Sequence, residues 1–494
     1  MLRTNSLLIR FAVLGLSFLA RANAQTTTNQ GTDFYLGFMQ NYAGTPNLRL
    51  FFTGNTATSG TVEIPGLSFS TPFVVNPGSI TSVVIPGTAE SQTSDVVDFK
   101  GIHVTSLAPV TVYGLNQITA TTDAFLGLPA PLLGTDHIVL GYSGGAGGVS
   151  EFQVVGTQDG TMVTITPTVA ATGHAAGIPY TIFLNRLQTY QLQASGATTD
   201  LSGTLISTSA PVALFGGAVC TNIPNNNYVA CDHVVEQIPA TGAWGQSFLT
   251  VPLATRTGGD TFRVIARDAG TTVTVDGALV ATLGRAQIYQ AVLSSGSNHS
   301  ITTSSPALVA QYSNSSSYDG VTSDPFMMLI SPTEQFQTSY TVTTPSSNPV
   351  AFTNFINVVS KTTDVSTCKI DGGPISTFTG IGATGYSGAK IPVAIGTHNL
   401  SCPSGFGVYT YGFASFDSYG YPGGLGIKFI AAPRCDVNGD GRIDSRDINL
   451  IFSARNTPAS SAEDKRDADG DLQITVADAR VCQQKCTQAG CAVN

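Results

Sequence analysis

The chain has 494 residues, 42% of them hydrophobic and only 11% charged, which excludes a disordered polypeptide and leaves room for several domains. A formal net charge of −9 without a basic cluster argues against nucleic acid or an anionic membrane as partner. Abundant Gly, Thr, Ser and Pro with few Lys and Glu favour β-structure over helix.

At the N-terminus, Arg3 and Arg10, an apolar run from Phe11 to Ala20 and the small-residue site Ala22-Asn23-Ala24 have the order of a secretory signal peptide, cleaved before Gln25. Residues 1–24 are therefore expected to be a leader and the mature chain to be secreted and extracellular. No later apolar run reaches the length of a membrane span.

A weak repeat with a period of about a hundred residues follows. Its opening element recurs as Gly31-Thr-Asp-Phe-Tyr-Leu, Gly134-Thr-Asp-His-Ile-Val, Gly245-Gln-Ser-Phe-Leu-Thr and Phe336-Gln-Thr-Ser-Tyr-Thr. Apolar and Thr-x-Val strands follow each opening. A further strand closes each copy near Pro109-Val-Thr-Val-Tyr, Pro211-Val-Ala-Leu-Phe, Pro306-Ala-Leu-Val-Ala and Phe406-Gly-Val-Tyr-Thr. About seven short strands per copy, broken by Gly, Pro and Asp, predict four tandem immunoglobulin-like β-sandwich units over 25–130, 131–240, 241–331 and 332–430, arranged as a rod or a compact cluster. His103, His299 and His398 each lie shortly before a closing-strand region and read as packing or edge residues.

The segments Gly31 to Asn41, Pro109 to Asn116, Thr122 to Pro129 and Cys231 to Pro239 with Trp244-Gly245 resemble, in order, the IgGFc-binding protein N-terminal domain family over about 31–430. That resemblance implies a β-rich extracellular binding module with no catalytic residues to carry over, and IgG Fc as a ligand by the family's name.

Two motifs invite an enzymatic reading. Gly141-Tyr-Ser143-Gly-Gly145 matches G-x-S-x-G, but the nucleophile elbow needs a following helix, whereas here glycines lead into the strand Phe152-Gln-Val-Val. Asp232, His233 and Glu236 lie within five residues, yet a disulfide between Cys220 and Cys231 would make them a clamped connector with Trp244 packed beneath. No catalytic residue is assigned.

The strongest motif is Asp436-Val-Asn438-Gly-Asp440-Gly441-Arg442-Ile443-Asp444-Ser-Arg-Asp447. Oxygen side chains at positions 1, 3, 5, 9 and 12, with glycine at 6, wrap a hard cation, so this is read as a Ca²⁺ loop in which Arg442 supplies its carbonyl and Asp444 acts through water. A second window, Asp467, Asp469, Asp471, Gln473, Thr475 and Asp478, repeats the spacing, but Leu472 stands at position 6, where it is either strained or the turn is made differently. Two such loops, each leading into a short helix, resemble the type I dockerin module over about 435–494. The resemblance implies Ca²⁺ and a cohesin-like partner that contacts positions 10 and 11, here Ser445-Arg446 and Val476-Ala477.

Eight cysteines, an even number, suit an oxidising compartment. Cys220 and Cys231 close one loop, Cys368 and Cys402 are able to pair, and Cys435, Cys482, Cys486 and Cys491 belong to the tail. The resulting expectation is a mostly β, secreted, non-enzymatic binding or adhesion protein with an EF-hand-like calcium tail and an extracellular protein or glycan ligand. The competing expectation is an enzyme or carbohydrate-active accessory protein tethered through the tail to a larger assembly.

Overall fold

The computed structural model describes residues 28–145, 147–345, 351–426, 435–438, 443–460, 464–469, 471–486 and 491–492. The expected leader lies outside them. Four sheets of seven or eight strands follow one another along the chain, and a two-stranded sheet and two short helices complete the tail.

Each unit is built around one long strand: Ile102–Ile118, Leu205–Thr221, His299–Tyr312 and Thr397–Ala414. The first half of each pairs with the opening strand and the Thr-x-Val strand, and the second half with the apolar strand and the closing strand. The two layers of each sandwich are thus joined by a shared long strand. The bend is a bulge repeated in all four units. While the opening strand advances from Gly31 to Asp33, the long strand runs from Val110 to Thr105, and the same mismatch recurs at Val212 to Ser207, Ala307 to Thr302 and Phe406 to Ser401. Pro109, Pro211, Pro306 and Pro403 fall inside these segments, where a residue without an N–H costs no ladder bond.

The corner also explains the glycine that opens three of the units. A methyl carbon on Gly31 would stand 2.3 Å from Pro129 Cβ, and one on Gly245 2.3 Å from Pro332 Cβ. The connection after each closing strand crosses there at a distance only glycine allows.

The four closing strands, Thr121–Gly127, Asp232–Gln237, Met327–Ile330 and Asp417–Pro422, are buried along their whole length and meet at the centre of the molecule. Of the two expected arrangements, rod and compact cluster, the structure shows a closed cluster. Unit 1 joins unit 2 through Leu128 N donating to Gln237 Oε1 at 2.7 Å, and unit 2 joins unit 3 through Leu329 N donating to Glu236 Oε1 at 3.1 Å. Unit 3 joins unit 4 through Ser418 Oγ donating to Asp324 O at 2.7 Å. The ring closes where the Tyr113 hydroxyl donates to Gly423 O at 2.9 Å, with Thr341 O as a second acceptor within reach at 3.1 Å. The apolar cores are continuous across these joints; Tyr419 and Tyr421 of unit 4 and Phe215 of unit 2 lie in the core of unit 1.

At the centre stands Asp123. Its carboxylate accepts one amide from every unit: Ala124 N at 2.8 Å, Val235 N at 3.0 Å, Met327 N at 3.1 Å and Gly420 N at 3.3 Å. Burial raises its pKa well above the usual value, and the four amides pull against that rise.

The histidines are structural, with one departure from the expected equivalence. His299 and His398 sit opposite Thr250 and Val342 and each bonds a turn aspartate, Asp276 or Asp371, at 2.7 Å. His103 is one register step away, opposite Tyr35, and bonds Asp33 of its own opening strand at 2.7 Å.

Removing the Asp123 carboxylate would leave four buried amides without an acceptor. Asp123→Ala is expected to cost about 3–5 kcal/mol and to loosen all four units together. Urea unfolding followed by Trp244 fluorescence checks this; a loss under about 1 kcal/mol would show that the hub does not depend on this group.

Candidate metal centre

The two tail loops are built from the same hydrogen bonds. In the first, Asp444 is the N-cap of helix Ser445–Ser453 and accepts Arg446 N at 2.8 Å, while Asp447 at the third helical position reaches back to Asp444 N at 3.0 Å. In the second, Thr475 caps helix Val476–Gln484, accepting Ala477 N at 3.0 Å, and Asp478 bonds Thr475 N at 2.6 Å. Both are capping boxes with aspartate in the place usually held by glutamate.

The position-12 aspartate does more than cap. Asp447 Oδ1 also accepts Val437 N at 2.8 Å and Asn438 N at 3.1 Å; Asp478 Oδ1 accepts Ala468 N at 2.6 Å and Asp469 N at 3.2 Å. Each buried carboxylate thereby folds the start of its loop over the start of its helix, the curvature that brings positions 1, 3 and 5 together.

In the second loop they do come together. Asp467, Asp469 and Asp471 place one carboxylate oxygen each within 4.8 Å of one another. Burial, then the charges of Asp478, Asp471 and Asp467, raise the Asp469 pKa to about 6. Leu472 takes the left-handed conformation at φ 68°, so the turn is made as a glycine would make it, and Leu472 N donates to Asp467 Oδ2 at 3.0 Å. Leu472 is the strained alternative of the two the sequence left open. In the first loop Asp436 is buried beside Asn438, while Asp440, Gly441 and Arg442 lie outside the described residues. Asp444, expected to act through water, is occupied as cap and by an ion pair with Arg446 at 2.8 Å; Thr475 is likewise a cap, and Gln473 is exposed. An all-oxygen, carboxylate-rich set of this kind fits a hard divalent cation.

Disulfides and ion pairs hold the tail. Cys435–Cys482 and Cys486–Cys491 are disulfides, as are Cys220–Cys231 and Cys368–Cys402 in the body. Among the described residues the tail reaches the second unit, where Lys485 Nζ lies 3.7 Å from Asp136 Oδ1. Burial works to raise the Asp136 pKa, but Lys485 and Arg285 together hold it below the ordinary value.

The enzymatic motifs do not assemble a site. Gly141 to Gly145 form an irregular loop leading to strand Ser150–Gly156. Asp232, His233 and Glu236 lie in a fully buried closing strand, whose alternation turns His233 to the face opposite the two carboxylates. His233 Nδ1 bonds Ala218 O at 2.9 Å, and burial lowers its pKa to about 4. Trp244 is buried as expected, donating to Pro239 O at 3.0 Å. Two groups escaped the sequence reading: Asp324 and Asp417, buried carboxylates at the position in their units that Asp232 holds in its own. Aligning the four closing strands would have found them.

A family model described as IgGFc binding protein matches residues 123–412, and one described as dockerin type I domain matches residues 434–485. The IgGFc-binding protein of Homo sapiens is 25% identical over 435 residues, 82% of this chain. The aligned part is 8% of that protein's length.

Because Asp469 must be charged to bind a cation, calcium affinity should follow its titration. In the ion-free tail its raised pKa means stability that is present below the ordinary carboxylate value of 3.8 and lost as pH rises towards about 6. A bound cation favours the charged form, so affinity for Ca²⁺ at the second loop is expected to be about tenfold weaker at pH 5 than at pH 7. Calorimetric titration of the full chain at both values checks this, and equal affinities would remove Asp469 from the site.

Proposed function

The chain belongs to the IgGFc binding protein family, and from that premise we propose a secreted, non-enzymatic binding or adhesion protein whose closed β-body carries the ligand surface and whose calcium-dependent tail attaches it to a partner. The body divides, in this reading, after 130, 240 and 331, each boundary lying just beyond a closing strand. The metal ligands are Asp436, Asn438, Asp440, Arg442, Asp444 and Asp447 in the first loop and Asp467, Asp469, Asp471, Gln473, Thr475 and Asp478 in the second.

One observation carries the attachment role. The tail keeps its duplicated loop framework but leaves apolar side chains outside on both helices: Leu450 and Phe452 on the first, Val476 on the second, each about 40% exposed. Leu450 follows Arg446 by one turn and Phe452 follows Ser445 by two, so an exposed apolar group lies on the helix face of each of these two loop positions, which supports contact with a cohesin-like protein. Since Ser445-Arg446 and Val476-Ala477 differ, the two loops offer unlike surfaces and favour a single docking orientation.

For the body, the human relative's name supports IgG Fc as one ligand to try, among extracellular proteins and glycans. Exposed apolar residues such as Leu107, Ile178 and Phe183 lie on its outer strands and loops, away from the sealed centre. That placement favours recognition by the outer surface over chemistry in a cleft.

The test is surface plasmon resonance of the full chain against immobilised cohesin domains and, separately, IgG Fc, in Ca²⁺ and in chelator. Cohesin binding in Ca²⁺ that disappears in chelator and weakens at least about tenfold in Leu450→Asp/Val476→Asp is the expected result. Binding that ignores both chelator and substitutions would refute the tail's role.

A further inference from the structure

The second tail loop touches the body, and it does so with the residue that departs from the loop's own pattern. Position 6 of such a loop turns through positive φ, which glycine adopts freely and leucine does not. Leu472 nevertheless holds φ 68°, and its backbone N–H donates to Asp467 Oδ2 at 3.0 Å, within the carboxylate cluster. Its side chain reaches out of the loop. Leu472 Cδ1 lies 3.6 Å from the place a methyl carbon on Gly270 would occupy, so it rests on the turn between strands Asp260–Ala266 and Thr271–Val275 of unit 3. A glycine at position 472 would make the same turn and leave that contact unmade.

A second contact holds the far end of the following helix. Lys485 caps the C-terminus of helix Val476–Gln484, its side chain is 6% exposed, and its Nζ lies 3.7 Å from Asp136 Oδ1 on strand Gly134–Ile138 of unit 2. Asp136 is itself fixed: Thr241 Oγ1 donates to its Oδ2 at 2.7 Å, and Arg285 of unit 3 lies 3.6 Å from its Oδ1. The second half of the tail is thus held at both ends, by an apolar contact on unit 3 and a charged one on unit 2. Leu450 and Phe452 of the first helix stay exposed.

We propose that the second loop is a calcium-set clasp: closing it around Ca²⁺ seats Leu472 on the Gly270 turn and, with Lys485 on Asp136, fastens the tail to the β-body. The inference rests on the reading of Asp467, Asp469 and Asp471 as cation ligands. One backbone state serves both purposes, because the left-handed turn that lets Leu472 N bond Asp467 also presents the leucine side chain to unit 3. Repulsion among three convergent carboxylates opposes that state, and a cation removes the opposition. Whatever favours the closed loop therefore favours the contact, and the contact in turn favours the ion. Burying the leucine against the turn also offsets the cost of its left-handed backbone, which gives the missing glycine a physical reason.

Hydrogen exchange followed by mass spectrometry tests the clasp, on the full chain with its first loop silenced by Asp436→Ala, in Ca²⁺ and in chelator. Calorimetric titration of the same samples records whether the second loop binds. Ca²⁺ is expected to slow exchange in the body turn from Arg267 to Thr271 at least about threefold, although the ion sits in the tail. Leu472→Gly, which relieves the strained turn and keeps every carboxylate, should still bind Ca²⁺ but lose that slowing. On the body side, Asp136→Asn should weaken Ca²⁺ binding about fivefold, although its partners Lys485, Arg285 and Thr241 are not ligands of the loop. Ca²⁺ binding that leaves the turn's exchange unchanged, or slowing that persists in Leu472→Gly, would overturn the clasp and leave the calcium site standing. Absence of Ca²⁺ binding would remove site and clasp together.

Discussion

A carboxylate offers about four lone-pair directions, and Asp123 spends all four on backbone amides from four different units. The rest of the body depends on that arrangement. Each closing strand pairs with its long strand along one edge, so on the other edge it carries amides that no ladder partner of its own sheet serves. Without a central acceptor those groups would be buried and unpaired, and the ring would open to let water reach them. The units are therefore repeats in sequence but parts of one cooperative object in energy, with cores that run into one another across every joint.

Repetition also explains where the body departs from an ordinary sandwich. A long strand that passes from one layer to the other needs a corner. The chain makes the same corner four times, with an identical register slip, a proline in the slipped segment and, in three units, a glycine where the return connection crosses. The corner aims the second half of each long strand, and with it the closing strand, at the common centre. Positions that differ among the copies then stand out. Asp123 occurs in one unit because one acceptor serves four, whereas Asp232, Asp324 and Asp417 recur at one position of three closing segments.

The four units, the two body disulfides and the doubled tail loops were legible because each rests on local pattern: strand alternation, cysteine placement and oxygen spacing. The hub was not. Asp232-His-Val-Val-Glu-Gln is polar enough to read as a surface connector, and only the neighbouring closing strands turn it into a buried element whose Glu236 accepts Leu329 N from the next unit. Asp123 looks like any turn residue until four chain segments about a hundred residues apart arrive at it. In the tail, spacing identified the carboxylates at positions 1, 3 and 5 but could not show that Asp444 and Thr475 are drawn into capping, or that Asp447 and Asp478 shape their loops through amides.

With Asp478 already holding Ala468 and Asp469 in place, Asp467, Asp469 and Asp471 are convergent before any ion arrives, and their mutual repulsion is what a cation relieves. Preorganisation of this kind shifts the cost of assembling the site from binding to folding. Leu472 adds to that same cost: about 1–2 kcal/mol of left-handed backbone is carried whether or not the loop is filled. The second loop is thus penalised in the stability of the tail more than in its affinity for the ion. The disulfide Cys435–Cys482, joining the entrance of the first loop to the second helix, acts on that folding term by restricting the unfolded chain.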